Sequence, residues 1–189
     1  MNSNLARLAA GHMARTAASS LAAVLLLAAT WASLQAPPAR AAAMQPGALS
    51  PAVDVPLLDG RVLSAEAQRG KVVLRMFWAT WCHVCIGELP AIDALYRKYR
   101  ERGFEVMALS LDRDPGVVRD FWQMHDYRLP LAMRTPALRG AFGDVAATPT
   151  FHLTDRGGVL RELRIGAFAD GELDHLVAAL VSVPPPAAR

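Results

Sequence analysis

Two cysteines, Cys82 and Cys85, are the only ones in the 189-residue chain, and two residues, His83 and Val84, separate them. At this spacing the sulfurs sit one helical turn apart and can close a small ring with little backbone movement, which is the arrangement of a redox-active dithiol. A loop of two residues removes little entropy from the unfolded chain, so the pair has little value as a structural staple. The preceding apolar run at 72–78 hands over to a helical pattern that starts at Cys82. At a helix N-terminus, unpaired backbone N–H groups and the positive end of the helix dipole favour a thiolate over a thiol. Cys82 is therefore the expected nucleophile, and Cys85, one turn inside, the thiol that resolves the resulting mixed disulfide. A competing reading uses the same sulfurs with His83 or His152 to hold a soft ion such as Cu(I), as a metallochaperone module would. No Met-rich stretch or second Cys/His cluster accompanies them.

The elements around the cysteines must position them. After Lys71, the run up to Trp78 is apolar apart from Arg75, as expected of a central strand covered on both faces. From Cys82 to Arg102, Ile86, Leu89, Ile92, Leu95 and Tyr96 recur at helical spacing, with Pro90 expected to kink the helix. Upstream, 53–58 and 61–63 flank Asp59-Gly60, the dipeptide of a two-residue hairpin turn, and 64–68 forms one helical turn. Downstream, strands are expected at 104–111, 129–133, 148–154 and 159–165, and a helix follows Pro115 up to His125. Asp170 is expected to cap a last helix over 172–181, which the prolines at 184–186 stop. Strands alternating with helices early and a hairpin late predict an α/β fold with a mixed central sheet flanked by helices, extended by the N-terminal β-hairpin. Arg75 and His152 are expected on a sheet face partly reached by solvent.

The first 53 residues contain no acid; Arg7 and Arg15 precede an apolar stretch at 17–36, and Ala-x-Ala sequences end at Ala41 and Ala43. This is the pattern of a secretory signal, either cleaved or, since the stretch is just long enough to span a bilayer, retained as an anchor. Both alternatives place the remainder in the periplasm or on the extracytoplasmic face of the membrane. The expected organisation is a leader at 1–43, a linker at 44–52 that becomes ordered near its end, a domain at 53–183 and a Pro-rich tail at 184–189. Arg7, Arg15 and Arg40 all precede Met44, so of 20 basic and 17 acidic residues, 17 of each remain beyond it. This balance gives no reason to expect a nucleic-acid partner.

The motifs Phe77-Trp78-Ala79-Thr80-Trp81-Cys82-x-x-Cys85, Glu88-Leu89-Pro90, Gly70-Lys71-Val72-Val73-Leu74, Thr148-Pro149-Thr150 and Asp155-x-x-Gly158, together with the Asp59-Gly60 hairpin, resemble the thioredoxin superfamily. More narrowly they resemble its exported TlpA/ResA group of thiol-disulfide oxidoreductases, over about residues 51–181. The resemblance implies a thioredoxin-like fold and a cis peptide at Thr148-Pro149 beside the sulfurs. Thr148 and Pro149, with Trp81, would then bind an extended substrate chain by strand addition. It also implies that Glu88, on the face of the helix shared with Cys85, helps manage protons; on the residues alone, a Glu in the second helical turn is more often a solvated acid favoured by the dipole. Met76 stands where thioredoxin carries a buried Asp, which leaves proton transfer to Glu88 or water. His83 and Val84 replace a proline-containing pair. A protonated His83 would stabilise the thiolate and make the couple more oxidising; the alternative is an exposed side chain with little effect.

The function implied is a reductase of selected protein disulfides, as in cytochrome c maturation or copper-site assembly. It would work without a cofactor and draw electrons from a membrane thiol reductant. A disulfide oxidase or isomerase is the alternative within the same chemistry.

Overall fold

The computed structural model describes residues 44–185; the leader and the end of the tail lie outside them. A small antiparallel hairpin comes first, β1 (Val55–Pro56) with β2 (Val62–Leu63), followed by the single-turn α1 (Ala65–Gln68), capped by the Ser64 hydroxyl. The main sheet has the order β5-β4-β3-β6-β7, from β3 (Val72–Trp78), β4 (Phe104–Ser110), β5 (Leu131–Met133), β6 (Thr150–Thr154) and β7 (Leu160–Ile165). β3, β4 and β5 run parallel, and β6 and β7 are antiparallel to their neighbours. The helices are α2 (His83–Tyr99), α3 (Pro115–His125), α4 (Pro136–Phe142) and α5 (Glu172–Ser182). Among the described residues no helix is long and apolar enough to cross a membrane.

Every residue of β3 is buried, and the two-residue alternation of a strand divides them between two cores. Val72, Leu74, Met76 and Trp78 join Cys85, Leu89 and Ile92 of α2, Val118 of α3, and Leu173, Val177 and Val181 of α5. Val73 and Phe77 face the other way, toward Val55, Met107, Leu109, Ala132 and, from α4, Leu138 and Phe142. The cysteine helix is thus docked on the larger core by an i, i+4, i+7 stripe.

Three local expectations need correction. The first hairpin closes through three residues rather than two: the Leu57 N–H donates to the Arg61 carbonyl at 2.8 Å, and Gly60, at φ +87°, completes the loop. A turn that ends on a left-handed residue makes the three-residue hairpin, for which glycine is suited. Asp170 does not cap α5. Gly171, at φ +74°, holds that position, and Glu172 reaches back to accept from the Ala169 N–H at 3.0 Å. Arg75 and His152 are not at a solvent-reached face. They are register partners on β3 and β6, 2% and 4% exposed.

α2 runs through Pro90 as one element. The stretch read as a linker is hydrogen-bonded to the sheet from Gly47 onward, its N–H donating to the Leu160 carbonyl at 2.8 Å and that of Ser50 to Gly158 at 2.8 Å.

Candidate active site

The two cysteines sit at the carboxyl end of β3, the end of an open α/β sheet at which ligands are generally met. Trp78 ends the strand, a turn follows in which the Cys82 N–H donates to the Ala79 carbonyl at 3.1 Å, and α2 begins. Cys82 is the N-cap: its carbonyl accepts from Ile86 at 3.1 Å and its sulfur from the Cys85 N–H at 3.2 Å. A sulfur that accepts an orphan helix N–H is placed where a negative charge is stabilised. The two are joined as a disulfide, with Cα atoms 5.2 Å apart. Cys82 retains 8% exposure, whereas Cys85 has none.

The residues expected around them separate into groups. Trp81, 64% exposed, and Val84, 53% exposed, put apolar surface beside Cys82, and Val117 at the start of α3 shares a shallow cleft with Trp81. Thr148-Pro149 is cis. Because Thr150 is the register partner of Phe77, the dipeptide just ahead of it falls at the same end of the sheet as the cysteines. Pro149 is buried, its carbonyl accepting from the Gly166 N–H at 2.9 Å. Thr148 is half-buried, and among the described residues its own N–H and C=O take part in no backbone hydrogen bond. His83 is exposed. Glu88 is half-buried and accepts from the Phe168 N–H at 3.4 Å; the groove it lines, with Ile92, Leu95 and Phe168, includes neither cysteine.

His152 is not brought to the sulfurs. Its strand neighbour Phe151 points into the core that holds Cys85, so His152 points through the opposite face, where its ring meets Phe77 edge-on at 5.0 Å. Burial, reinforced by the Arg75 charge, pushes its pKa down to about 4. Among the described residues no group of three or more His, Cys, Asp or Glu is placed to hold a metal ion.

Asp112 is a site residue that sequence reasoning missed. Its carboxylate accepts from the Thr80 N–H at 3.0 Å, the Thr80 hydroxyl at 2.8 Å and the Ser110 hydroxyl at 2.7 Å. The Leu111 N–H adds a bond to the Trp78 carbonyl at 2.8 Å. These bonds tie the loop carrying Trp81 and Cys82 to the end of β4. Charge-assisted hydrogen bonds of this kind are the stronger class. The signal was available in principle: an acid just beyond the carboxyl end of a parallel strand adjacent to the cysteine strand.

A mixed sheet of this order, with a Cys-x-x-Cys pair opening the helix after its central strand and a cis-proline loop at the same end, defines a thioredoxin-like thiol-disulfide oxidoreductase. Residues 45–180 match the family model described as Redoxin, and the chain belongs to that family. Among curated proteins it is similar to "Thiol-disulfide oxidoreductase ResA" of Bacillus cereus, 33% identical over 132 residues that cover 69% of this chain and 76% of the relative. It is also similar to "Thioredoxin-like protein YneN" of Bacillus subtilis, 28% identical over 135 residues, 70% of this chain and 78% of the relative. Among solved structures, a thiol:disulfide interchange protein of the thioredoxin family from Chlorobium tepidum superposes with a TM-score of 0.67 at 24% identity, over 74% of this chain and 99% of that one; this likeness shows the fold. The chain is a thiol-disulfide oxidoreductase, a type whose substrates are protein thiols and disulfides.

Proposed function

We propose that the chain is an exported reductase of selected protein disulfides, recharged by a membrane thiol reductant. The observation that carries this reading is the asymmetry of the dithiol, with Cys82 at the rim as a helix N-cap and Cys85 wholly buried one turn behind it. In the reduced form the Cys82 thiolate attacks one sulfur of a substrate disulfide, forming a mixed disulfide and releasing the other sulfur as a thiolate. The Cys85 thiolate then attacks the Cys82 sulfur, the Cys82–Cys85 disulfide forms, and the second substrate sulfur leaves. Two electrons pass to the substrate, and a dithiol donor must return them.

The exposed Trp81 and the free backbone edge of Thr148 support docking of an extended substrate segment across Cys82, with main-chain hydrogen bonds supplying the pairing. Pro149 holds that edge. Glu88, one turn after Cys85 on α2, is assigned the proton that Cys85 must lose before it attacks. His83 and Val84 set the local field and polarity at the helix start. Export rests on the Arg7 and Arg15 start, the apolar run at 17–36 and the small residues after it. Maturation of c-type cytochromes and assembly of copper sites are the settings that need cysteines kept reduced outside the cytoplasm.

The test is the reduction potential of the Cys82/Cys85 couple, measured against glutathione and dithiothreitol buffers. A value well below about −200 mV supports a reductase. A value near −120 mV, roughly that of the strong oxidants, overturns it in favour of disulfide formation and makes His83 the first residue to replace.

A further inference from the structure

Thr150 opens β6 as a fixed point. It is the register partner of Phe77 on β3 and of Ile165 on β7, and it is 3% exposed. A β-branched side chain has restricted χ1 rotation, so the hydroxyl is aimed as well as anchored. That hydroxyl donates to the Ala147 carbonyl at 2.7 Å, reaching back past Pro149 and Thr148.

The segment that leads into β6 is otherwise weakly held. At its start, the Arg134 guanidinium donates to the Gly143 carbonyl at 2.9 Å and to Asp144 at 3.3 Å, and Arg139 adds a second hold on Asp144 at 2.9 Å. At its end, the Pro149 carbonyl accepts from the Gly166 N–H at 2.9 Å. Between these anchors Val145 packs on the second core, and among the described residues the only hydrogen bond made by residues 145–148 is the one from Thr150. Ala146 and Ala147 are exposed, and their methyl groups bury too little apolar area to fix them.

The position of Thr148 therefore depends on one side-chain hydrogen bond. The docking proposed for an extended substrate segment uses the free N–H and C=O of Thr148. Such an edge recognises a partner well only if it is held in place beforehand, because ordering it on binding subtracts from affinity. The loop that carries Trp81 is pinned in the same way, by the Thr80 hydroxyl donating to Asp112 at 2.8 Å.

We infer that Thr150 is a positioning residue for the substrate. Its hydroxyl holds Ala147, and through it the backbone edge of Thr148, in the conformation that pairs with an extended protein segment at Cys82. This role rests on the docking reading and deepens it. Recognition of a polypeptide depends on it; the exchange of sulfurs does not pass through it.

The test is steady-state reduction of insulin by the full chain, with dithiothreitol as donor, alongside exchange with bis(2-hydroxyethyl) disulfide, which has no main chain to pair. Thr150→Val keeps the branched shape and the strand preference and removes the donor. It should raise the insulin KM about fivefold, the contribution of a single hydrogen bond, with kcat and the small-disulfide rate within about twofold of the unsubstituted protein. Thr150→Ser, which restores the hydroxyl, should return KM to its original value. An unchanged KM in T150V, equal losses on both disulfides, or no recovery in T150S overturns the positioning role. Thr148→Pro removes the Thr148 N–H itself and tells this failure apart from failure of the docking reading. A raised insulin KM in T148P beside an unchanged one in T150V overturns the role of Thr150 alone, and an unchanged KM in both overturns the docking as well. Should T150V fail to fold, amide relaxation by NMR on the unsubstituted protein decides. A Thr148 amide with an order parameter of about 0.85, as in a rigid strand, supports the hold, and one below about 0.6 overturns it.

Discussion

The two faces of β3 carry different chemistry over the same seven residues. On the α2 side, Val72, Leu74, Met76 and Trp78 pack into the larger hydrophobic cluster, which reaches the dithiol at the strand's carboxyl end. On the other side, Arg75 and His152 face each other between Val73 and Phe77, with orphaned nitrogens on both. A core without charged side chains from β3 seats the α2 helix through Cys85, Leu89 and Ile92. Burying Arg75 and His152 there costs stability that an apolar pair would not. The difference teaches that the redox end of this sheet is seated on the face that α2 covers, and that the buried polar groups of β3 and β6 lie on the face turned away from it.

The largest effect expected from breaking the α2 side is chemical. Cys82→Ser should abolish exchange with protein disulfides in an insulin-type reduction assay, and Cys85→Ser should instead accumulate mixed disulfides visible by mass; equal residual turnover in both would remove the assigned order of attack. Leu89→Ala, at a fully buried position beneath Cys85, should cost about 3 kcal/mol in denaturant unfolding.

On the other face the expected effects differ in kind. The pKa of His152 is lowered from 6.5 to about 4 in the folded state, by burial first and by Arg75 second. Since the unfolded chain takes up this proton and the folded one resists it, the stability from neutral His152 is fully present above pH 6.5. It falls away as the pH drops toward 4, by up to roughly 3 kcal/mol. H152F should flatten the unfolding free energy across that window, and an unchanged slope would remove His152 as the cause.

Asp112→Ala tests the loop tie at the redox end. It should lose about 2 kcal/mol of stability and slow exchange several-fold by releasing the Thr80-Trp81-Cys82 loop, as followed by Trp81 fluorescence and insulin reduction. The smallest effect, with the opposite sign, is expected of Arg75→Met. Replacing an unpaired buried charge by an apolar side chain of similar length should raise stability by about 1 kcal/mol. A clear loss there would show that the two faces are less different than their polarity indicates.

Much of the redox end was legible in the sequence because its signals are local. A strand, a two-residue spacing and a helix start are written in consecutive residues, and they placed Cys82 at the N-cap and Cys85 inside. The central position of the 72–78 strand followed from its unbroken apolar character. Local capping was less secure: Asp170 and Gly171 are adjacent candidates, and the choice between a side-chain cap and a left-handed glycine depends on the entry angle that packing imposes.

The sequence by itself determined the chemistry, the fold class and the end of the sheet at which the dithiol sits, because backbone periodicity, turn propensity and helix-end electrostatics act over a few residues. Only the tertiary structure decided that Asp112 ties down the cysteine loop and that Arg75 and His152 are buried opposite one another. Those facts depend on which distant segments meet, 32 residues apart for Thr80 and Asp112 and on facing strands for Arg75 and His152, and a charged residue in an apolar strand carries no local mark of what will cover it.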